Sequence, residues 1–510
     1  MLACARTAAI LGIDAYVVVV EVDAAAGLPA MATVGLAQSA VKEGKERVLS
    51  AIQNSGFDVP PRKITINLAP ADIKKEGSHF DLPIACGVLA ATGQLPGDGL
   101  QRFALAGELG LDGVLRPIRG ALPMAQAVAA SGVSGLIVPA ANLPEASIIE
   151  RLDVRGASTL GEVAGHFQGR VELRRERLDP AALLVRRSGA AVDLGDVRGQ
   201  GHAKRALEIA AAGAHNILLV GPPGGGKTML ARRFPSVLPK LSLAEAIEVT
   251  RVHSVAGLLP PDQALVSERP FRAPHHTISD AGLVGGGAIP RPGEASLAHH
   301  GVLFLDELTE FRRNVLEVLR QPLEDGRVTI GRASRTLTYP ARFVLAAAMN
   351  PCPCGHLGDS RKRCRCTPRL IQRYRAKISG PLLDRIDLHI EVPPVTSPEL
   401  LDSVEGESSV AVAERVEAAR RVQLARFKQR DGLYANGQMS ARDVRKFCDA
   451  DQTGLSLLRS AMARFGLSAR SFHRTLKIAR TIADLAESET IRSAHIAEAI
   501  QYRGLDRNTL

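Results

Sequence analysis
The run GPPGGGKT at 221–228 gathers four glycines, a lysine and a threonine. Glycines so placed let successive backbone N–H groups turn inward around phosphate oxygens. The apolar stretch NILLVG precedes the run and TMLARRF follows it, so the loop joins a strand to the start of a helix. In this pattern the lysine reaches the β- and γ-phosphates and the threonine hydroxyl holds Mg²⁺. Gly221, Pro222, Pro223, Gly224, Gly225, Gly226, Lys227 and Thr228 are therefore the expected ATP-binding residues. Some eighty residues later, HHGVLFLDEL (299–308) ends an apolar run in two carboxylates. A buried parallel strand there delivers both at its C-terminal edge, where such sheets bind ligands. Asp306 is expected to share Mg²⁺ with Thr228, and Glu307 to polarise an attacking water. RFVLAAAMNP (342–351) reads as another buried strand, ending in Asn350, a candidate for orienting that water or the γ-phosphate.

Two arginine positions extend this set. Arg385 lies between acidic neighbours in GPLLDRIDLHIEV (380–392), just before a strand. In a ring ATPase such an arginine projects into a neighbour's site and stabilises transition-state charge. Arg373 and Arg375 are nearby alternatives, and a structural Asp–Arg pair is the plainer reading. In SARSFHRTLKIARTIADLAE (468–487), Arg470 and Arg474 stand one helical turn apart; one is expected to close over the γ-phosphate, with Arg470 preferred.

NPCPCGHLGDSRKRCRCTPR carries Cys352, Cys354, Cys364 and Cys366 as two C-x-C pairs. Four thiolates can bind one structural Zn²⁺ tetrahedrally, with His356 a possible substitute ligand; a redox-sensitive set is the alternative. Arg361, Lys362, Arg363 and Arg365 sit among these cysteines, and Arg369, Arg373 and Arg375 follow, which suits a DNA backbone as well as a solvated charged face. GRVTIGRASRTLTYP (326–340) reads as a hairpin whose Arg327, Arg332 and Arg335 are further candidates for phosphate contact. His275, His276, His299 and His300 come as adjacent pairs, and neighbours in a strand face opposite ways, so structural or loop roles are preferred to metal binding. Cys4, Cys86 and Cys448 are isolated and expected to be inert.

Four segments must position these residues. Residues 1–168 alternate strand-like runs (16–23, 63–70, 134–140) with helical ones (41–56, 121–132), an α/β domain; 169–192 is charge-rich and reads as a linker. Residues 193–393 form an α/β core with a Gly-, Pro- and His-rich insert at 251–298, whose GLVGGGAIPRPGE reads as a mobile loop, and the cysteine loop at 352–366. From 394 to 510 the periodicity is helical, beyond a Pro-rich hinge at 393–399. The chain of 510 residues is long enough for several domains, and 45% hydrophobic with 23% charged residues excludes a largely disordered protein. No apolar run suits a membrane span; Asp14 interrupts the N-terminal apolar stretch, against a signal peptide. Seven cysteines, four of them clustered, fit a reducing cytoplasm. A net charge of +11 favours a polyanionic partner, nucleic acid before membrane; with no tryptophan and 4% aromatics, phosphate contact is the expected mode rather than base stacking.

These elements, in this order, resemble an AAA+ ATPase with a helical lid. RPFRAPHHTIS, GGGAIPRPGEASLAHHGVLFLDEL and AAMNPCPCG are similar to the Mg-chelatase-like group, specifically the YifB/ComM family. VEVDAAAGLPAMATVGLAQSAVKEGKERVLSAIQNSGF and NLAPADIKKEGSHFDLPIA extend the resemblance over essentially the whole chain. It implies a Lon-protease-like N-terminal α/β domain, a P-loop core and a lid, assembled as a homo-oligomer, a hexamer being expected because the arginine finger comes from a neighbour. It implies ATP-driven helicase or branch-migration activity on DNA during recombination or natural transformation. It also places the insert and the 326–340 hairpin towards a ring pore. Against the Lon pattern, His79 falls at the serine position with Ser78 one residue early, and Leu122 falls at the lysine position with no lysine nearby, so protease activity is not expected. The competing readings are a chelatase-type motor that remodels a protein partner, an ATP-dependent protease or unfoldase, and a non-catalytic scaffold.

Overall fold
The computed structural model describes residues 1–185, 192–261, 263–287, 290–332, 335–359, 361–395, 406–430, 432–465 and 468–503. The chain divides into two compact units, one built from 1–186, 243–267 and 331–339, the other from 187–242, 268–330 and 340–510.

The first unit is built on an eight-stranded mixed sheet. Its first two strands, Leu2–Leu11 and Asp14–Ala25, form a long antiparallel hairpin running from Leu2 opposite Asp23 to Leu11 opposite Asp14. The turn holds Gly12 at φ +67°, a left-handed conformation that glycine adopts without strain. The apolar stretch at the N-terminus is thus a sheet strand. Alternation sends side chains to two faces. Val18, Val20 and Val22 join the core under the fully buried helix Asp81–Ala91, whereas Ala8 packs with Met124 and Val128 of the helix Ala121–Ala130 on the other face. Part of the segment expected to be a linker is ordered: Arg174–Arg175 pairs antiparallel with Asp153–Ala157, and Leu173 is buried. The helix Leu243–Ala256, which follows the P-loop helix in sequence, belongs to this unit. Ser254 there donates to Glu145, and Gly120 N–H donates to the Ser254 carbonyl at 3.2 Å.

The second unit contains a five-stranded parallel sheet. Its spatial order is Phe271–Arg272, Val302–Leu305, Val344–Met349, Ile217–Val220, Leu388–Glu391. The three middle strands are buried at every position, so they read as continuous apolar runs. Counted along the chain, the order is 2-3-4-1-5, and the first strand lies between the fourth and the fifth. Loops leaving these strands meet at one edge of the sheet, the ligand-binding position in open parallel sheets. Part of the expected mobile loop is paired: Gly285–Gly286 runs antiparallel to Arg291–Pro292. A Cβ on Gly285 would stand 2.5 Å from the Arg291 carbonyl, so the close approach requires glycine.

Helices Ser409–Arg426, Ala441–Phe447, Gln452–Phe465, Ala469–Leu485 and Ser493–Gln501 complete this unit. Ser408, Ser440 and Ser468 cap three of them with side-chain oxygens. Polar bonds fasten the helices to the sheet. His215 joins Asp387 at 3.2 Å and Thr481 at 2.8 Å, Arg474 pairs with Asp387 at 3.3 Å, and the buried Arg503 donates to the Ile386 carbonyl at 2.9 Å. Burial alone would raise the Asp387 carboxyl, but Arg474 and His215 outweigh it and hold the group well below the ordinary carboxylate range. The expected α/β architecture with a parallel core and a helical C-terminal region is the one observed.

Candidate active site
The loop 221–226 leaves the strand Ile217–Val220 and returns as the helix Lys227–Arg233. Gly224 and Gly226 have φ of +75° and +88°, so the turn depends on their lack of a Cβ. Gly221 is needed for a different reason: a Cβ there would stand 2.1 Å from the Val392 carbonyl.

Lys227 is buried, with Nζ donating to the carbonyls of Gly221 (2.7 Å) and Pro222 (2.9 Å) and to Asn350 Oδ1 (3.2 Å). Burial lowers its pKa, while Asp306 and Glu307 oppose the shift and favour the charged form. Thr228 Oγ1 donates to Asp306 Oδ2 at 2.7 Å, and the other Asp306 oxygen accepts the Glu307 N–H at 2.9 Å. Glu307 has a left-handed backbone, φ +51°, and an exposed carboxylate. Five residues from three sequence segments therefore converge: Lys227, Thr228, Asp306, Glu307 and Asn350. The oxygens of Thr228 and Asp306 are hard donors suited to Mg²⁺, and the glycine loop beside Lys227 suits a polyphosphate. His276 was not expected in this group; its Nδ1 lies 3.7 Å from Glu307 Oε2. Its place just beyond the edge strand Phe271–Arg272 was the available signal, and that strand is too short to stand out by periodicity.

The arginines occupy a different neighbourhood. Arg385 is 8% exposed, donates to the Pro381 carbonyl at 2.6 Å and pairs with Glu324 at 2.5 Å. Arg470 is exposed in the first turn of its helix and also acts on the charge of Glu324, while Arg474 is the one paired with Asp387. Arg375 donates to the Pro351 carbonyl at 3.4 Å. Arg373 lines an open cleft with Phe311, Arg313 and Lys377.

The four clustered cysteines come together. Cys352 Sγ lies 3.4 Å from that of Cys354 and 3.7 Å from that of Cys364, and all four sulfurs are within 4.8 Å of one another. All are free, at distances too long for a disulfide, whose S–S bond is about 2.0 Å. A tetrahedral Zn²⁺ with Zn–S of about 2.3 Å requires S···S near 3.8 Å, so this donor set fits zinc. His356 is engaged elsewhere, with Nδ1 3.1 Å from Asp359. Arg361, Lys362, Arg363 and Arg365 are exposed around the cluster; Arg327, on its own strand, is exposed as well. Arg332 and Arg335 lie on strands Arg327–Arg332 and Arg335–Pro340, but their side chains fall outside what is described.

In the first unit, the Lon-like positions do not assemble. Ser78 donates to Glu108, His79 is buried, and Leu122 is buried with its N–H donating to Glu145 at 2.8 Å. Lys75, the lysine nearest Ser78 in sequence, is buried and donates to the Pro70 carbonyl. Among the described residues, no helix is long and apolar enough to cross a membrane.

Three family models match: subunit ChlI of Mg-chelatase at residues 20–142, magnesium chelatase subunit ChlI at 193–400, and the ChlI C-terminal region at 406–503. The uncharacterized protein YifB of Escherichia coli is 45% identical over 99% of this chain and 98% of its own. The competence protein ComM of Haemophilus influenzae is 44% identical over the same shares. The magnesium-chelatase 38 kDa subunit of Rhodobacter capsulatus is 27% identical, over 38% of this chain and 57% of its own.

Proposed function
The chain belongs to the Mg-chelatase-like YifB/ComM family of AAA+ proteins, and on that premise we propose that it is an ATP-driven ring motor that translocates on DNA. The observation that carries this reading is the convergence of Lys227, Thr228, Asp306, Glu307 and Asn350 beside a glycine loop. Thr228 and Asp306 would hold Mg²⁺, which supplies charge neutralisation between the β- and γ-phosphates. Lys227 binds those phosphates, Asn350 orients the γ-phosphate or the water, and Glu307 draws a proton from the attacking water. In this reading Arg385 from a second copy would supply a cation on the far side of the γ-phosphate, so the active form would be a homo-oligomer, a hexamer. Arg470 is the lid residue that would close over the nucleotide. In the single chain Glu324 holds Arg385, so assembly must exchange that partner for phosphate.

The DNA assignment draws support from the exposed Arg361, Lys362, Arg363 and Arg365, with the exposed Arg327 a further candidate, and from the competence protein among the relatives. The cysteine loop that carries the first four would be a zinc-held element. In this reading the role is cytoplasmic, in recombination or natural transformation. The second reading is a chelatase-type motor acting on a protein partner, and the 38 kDa chelatase subunits favour it for the core alone. Protease action is disfavoured by the bonded Ser78 and the buried Leu122.

Steady-state ATP hydrolysis with Mg²⁺, with and without single-stranded, duplex and forked DNA, tests the proposal. Several-fold stimulation by DNA that falls with salt is the expected result. Hydrolysis indifferent to every DNA would favour the chelatase-type reading.

A further inference from the structure
Asn350 is the residue through which the strand Val344–Met349 reaches Lys227, and the cysteine loop begins two residues beyond it. Both ends of that loop return to Asn350. At the first end, Cys352 is fully buried and its carbonyl accepts the Gly355 N–H at 2.9 Å. This turn lies on the nucleotide loop: Gly355 has φ +81°, and a Cβ there would be 2.7 Å from Pro223 Cδ. At the second end, the helix Pro368–Arg375 starts directly after Cys366 and Thr367. Its Tyr374 hydroxyl accepts a hydrogen bond from Thr309 at 2.6 Å, and its Arg375 donates to the carbonyl of Pro351, next to Asn350, at 3.4 Å.

Between the cysteine pairs the bonds are local: Asp359 pairs with His356 at 3.1 Å and accepts the Arg361 N–H at 2.8 Å, and no helix or strand spans 352–366 among the described residues. Four sulfurs at metal-ligand spacing join the two ends, beside the bond from Arg375 to the Pro351 carbonyl.

We infer that the four-cysteine zinc centre is a strut of the nucleotide site, fixing Asn350 against Lys227 and the Gly355 turn against Pro223, so that metal occupancy controls ATP binding. This rests on the zinc reading above and extends it from a fold-holding site to a regulatory one. Zinc does no chemistry on the nucleotide; it restricts where Asn350 and the glycine loop can stand.

The test uses the full chain, purified reduced and without chelator. Zinc content is measured, the metal is stripped with a mercurial, the thiols are regenerated under chelator, and zinc is returned. At each stage a fluorescent N-methylanthraniloyl-ATP is titrated with Mg²⁺ present, and hydrogen exchange is followed at 221–228 and 344–352. The expected result is about one zinc per chain, binding weakened at least about tenfold on stripping, faster exchange in those two segments and recovery with zinc. Zinc that can be removed with affinity changed less than about twofold would overturn the coupling and leave the zinc reading intact. No zinc in the freshly reduced protein would remove both. If stripping unfolds the chain, the double variant Cys364→Ser, Cys366→Ser decides, because it removes two ligands at the end of the loop away from the Gly355 turn. Zinc lost with affinity reduced about fivefold or more supports the strut, and zinc lost with unchanged affinity overturns it.

Discussion
Each unit of this chain brings polar side chains together at one place, and the two places differ in what those side chains do for each other. At the edge of the parallel sheet, Lys227 donates to Asn350 and Thr228 to Asp306, while the Glu307 carboxylate stays exposed. In the N-terminal unit, Ser78 is tied to Glu108, Asp81 to Arg47 at 2.9 Å, and His79 is buried with its Nε2 unpartnered. There, burial is the leading influence on ionisation: it pushes Asp81 up to about 6 and His79 down to about 4, each towards its neutral form. The first cluster gathers its polar atoms around one point and leaves a carboxylate exposed there. The second moves Asp81 and His79 towards their neutral forms and spends its polar atoms on the fold. Reactive residue types therefore mark a site only where their partners leave a charge free to act.

The largest expected effect puts this contrast to a direct test. Glu307→Gln removes the proton acceptor and keeps the shape, so hydrolysis should fall about a thousandfold or more while Mg²⁺-ATP still binds. Ser78→Ala should leave hydrolysis unchanged, and neither the parent nor this variant should degrade casein. Peptide cleavage lost in Ser78→Ala, or hydrolysis preserved in Glu307→Gln, would break the comparison.

The difference between the units also governs how far the sequence could be read. GPPGGGKT and VLFLDEL are legible because phosphate binding demands a glycine loop on an apolar strand and parallel strands are apolar throughout, so residues and elements announce each other. Asn350 and the cysteines follow from strand ends and thiol spacing. His276 was hidden because a two-residue edge strand carries no period. The strand Leu2–Leu11 was hidden because its alanines resemble a leader until the Gly12 turn pairs them with Asp14–Ala25. Membership of Leu243–Ala256 in the N-terminal unit was not legible either, since Glu145 and Ser254 stand more than a hundred residues apart in sequence.

Arg385 lies between the two behaviours, being buried and paired like the N-terminal groups yet assigned a role in the nucleotide site. Arg385→Ala should lower hydrolysis about a hundredfold or more, with nucleotide affinity kept. Mixing it with Lys227→Ala chains should restore part of the activity, because a mixed ring contains interfaces where an intact Arg385 meets an intact Lys227. Loss of hydrolysis with no recovery on mixing, together with a lowered melting temperature, would assign Arg385 to the fold and sharpen the boundary between the two kinds of cluster.

The smallest effect concerns the silent cluster itself. His79 has its folded pKa depressed from 6.5 to about 4, so its neutral form favours the fold above pH 6.5, and about 3 kcal/mol of stability is lost as pH falls through that window. Asp81 has its folded pKa raised from 3.8 to about 6, so its contribution is greatest below pH 4, and about 3 kcal/mol is lost as pH rises towards 6. The two slopes oppose one another between pH 4 and pH 6. For these two groups the native chain should therefore show a nearly flat balance, and His79→Gln should uncover the Asp81 slope, making the N-terminal unit relatively more stable at pH 4.5 than at pH 6.5. Urea unfolding across this range, followed by exchange at 78–91, measures it. A variant whose pH profile parallels that of the native chain would show that His79 titrates freely, which would return it to the class of groups able to act.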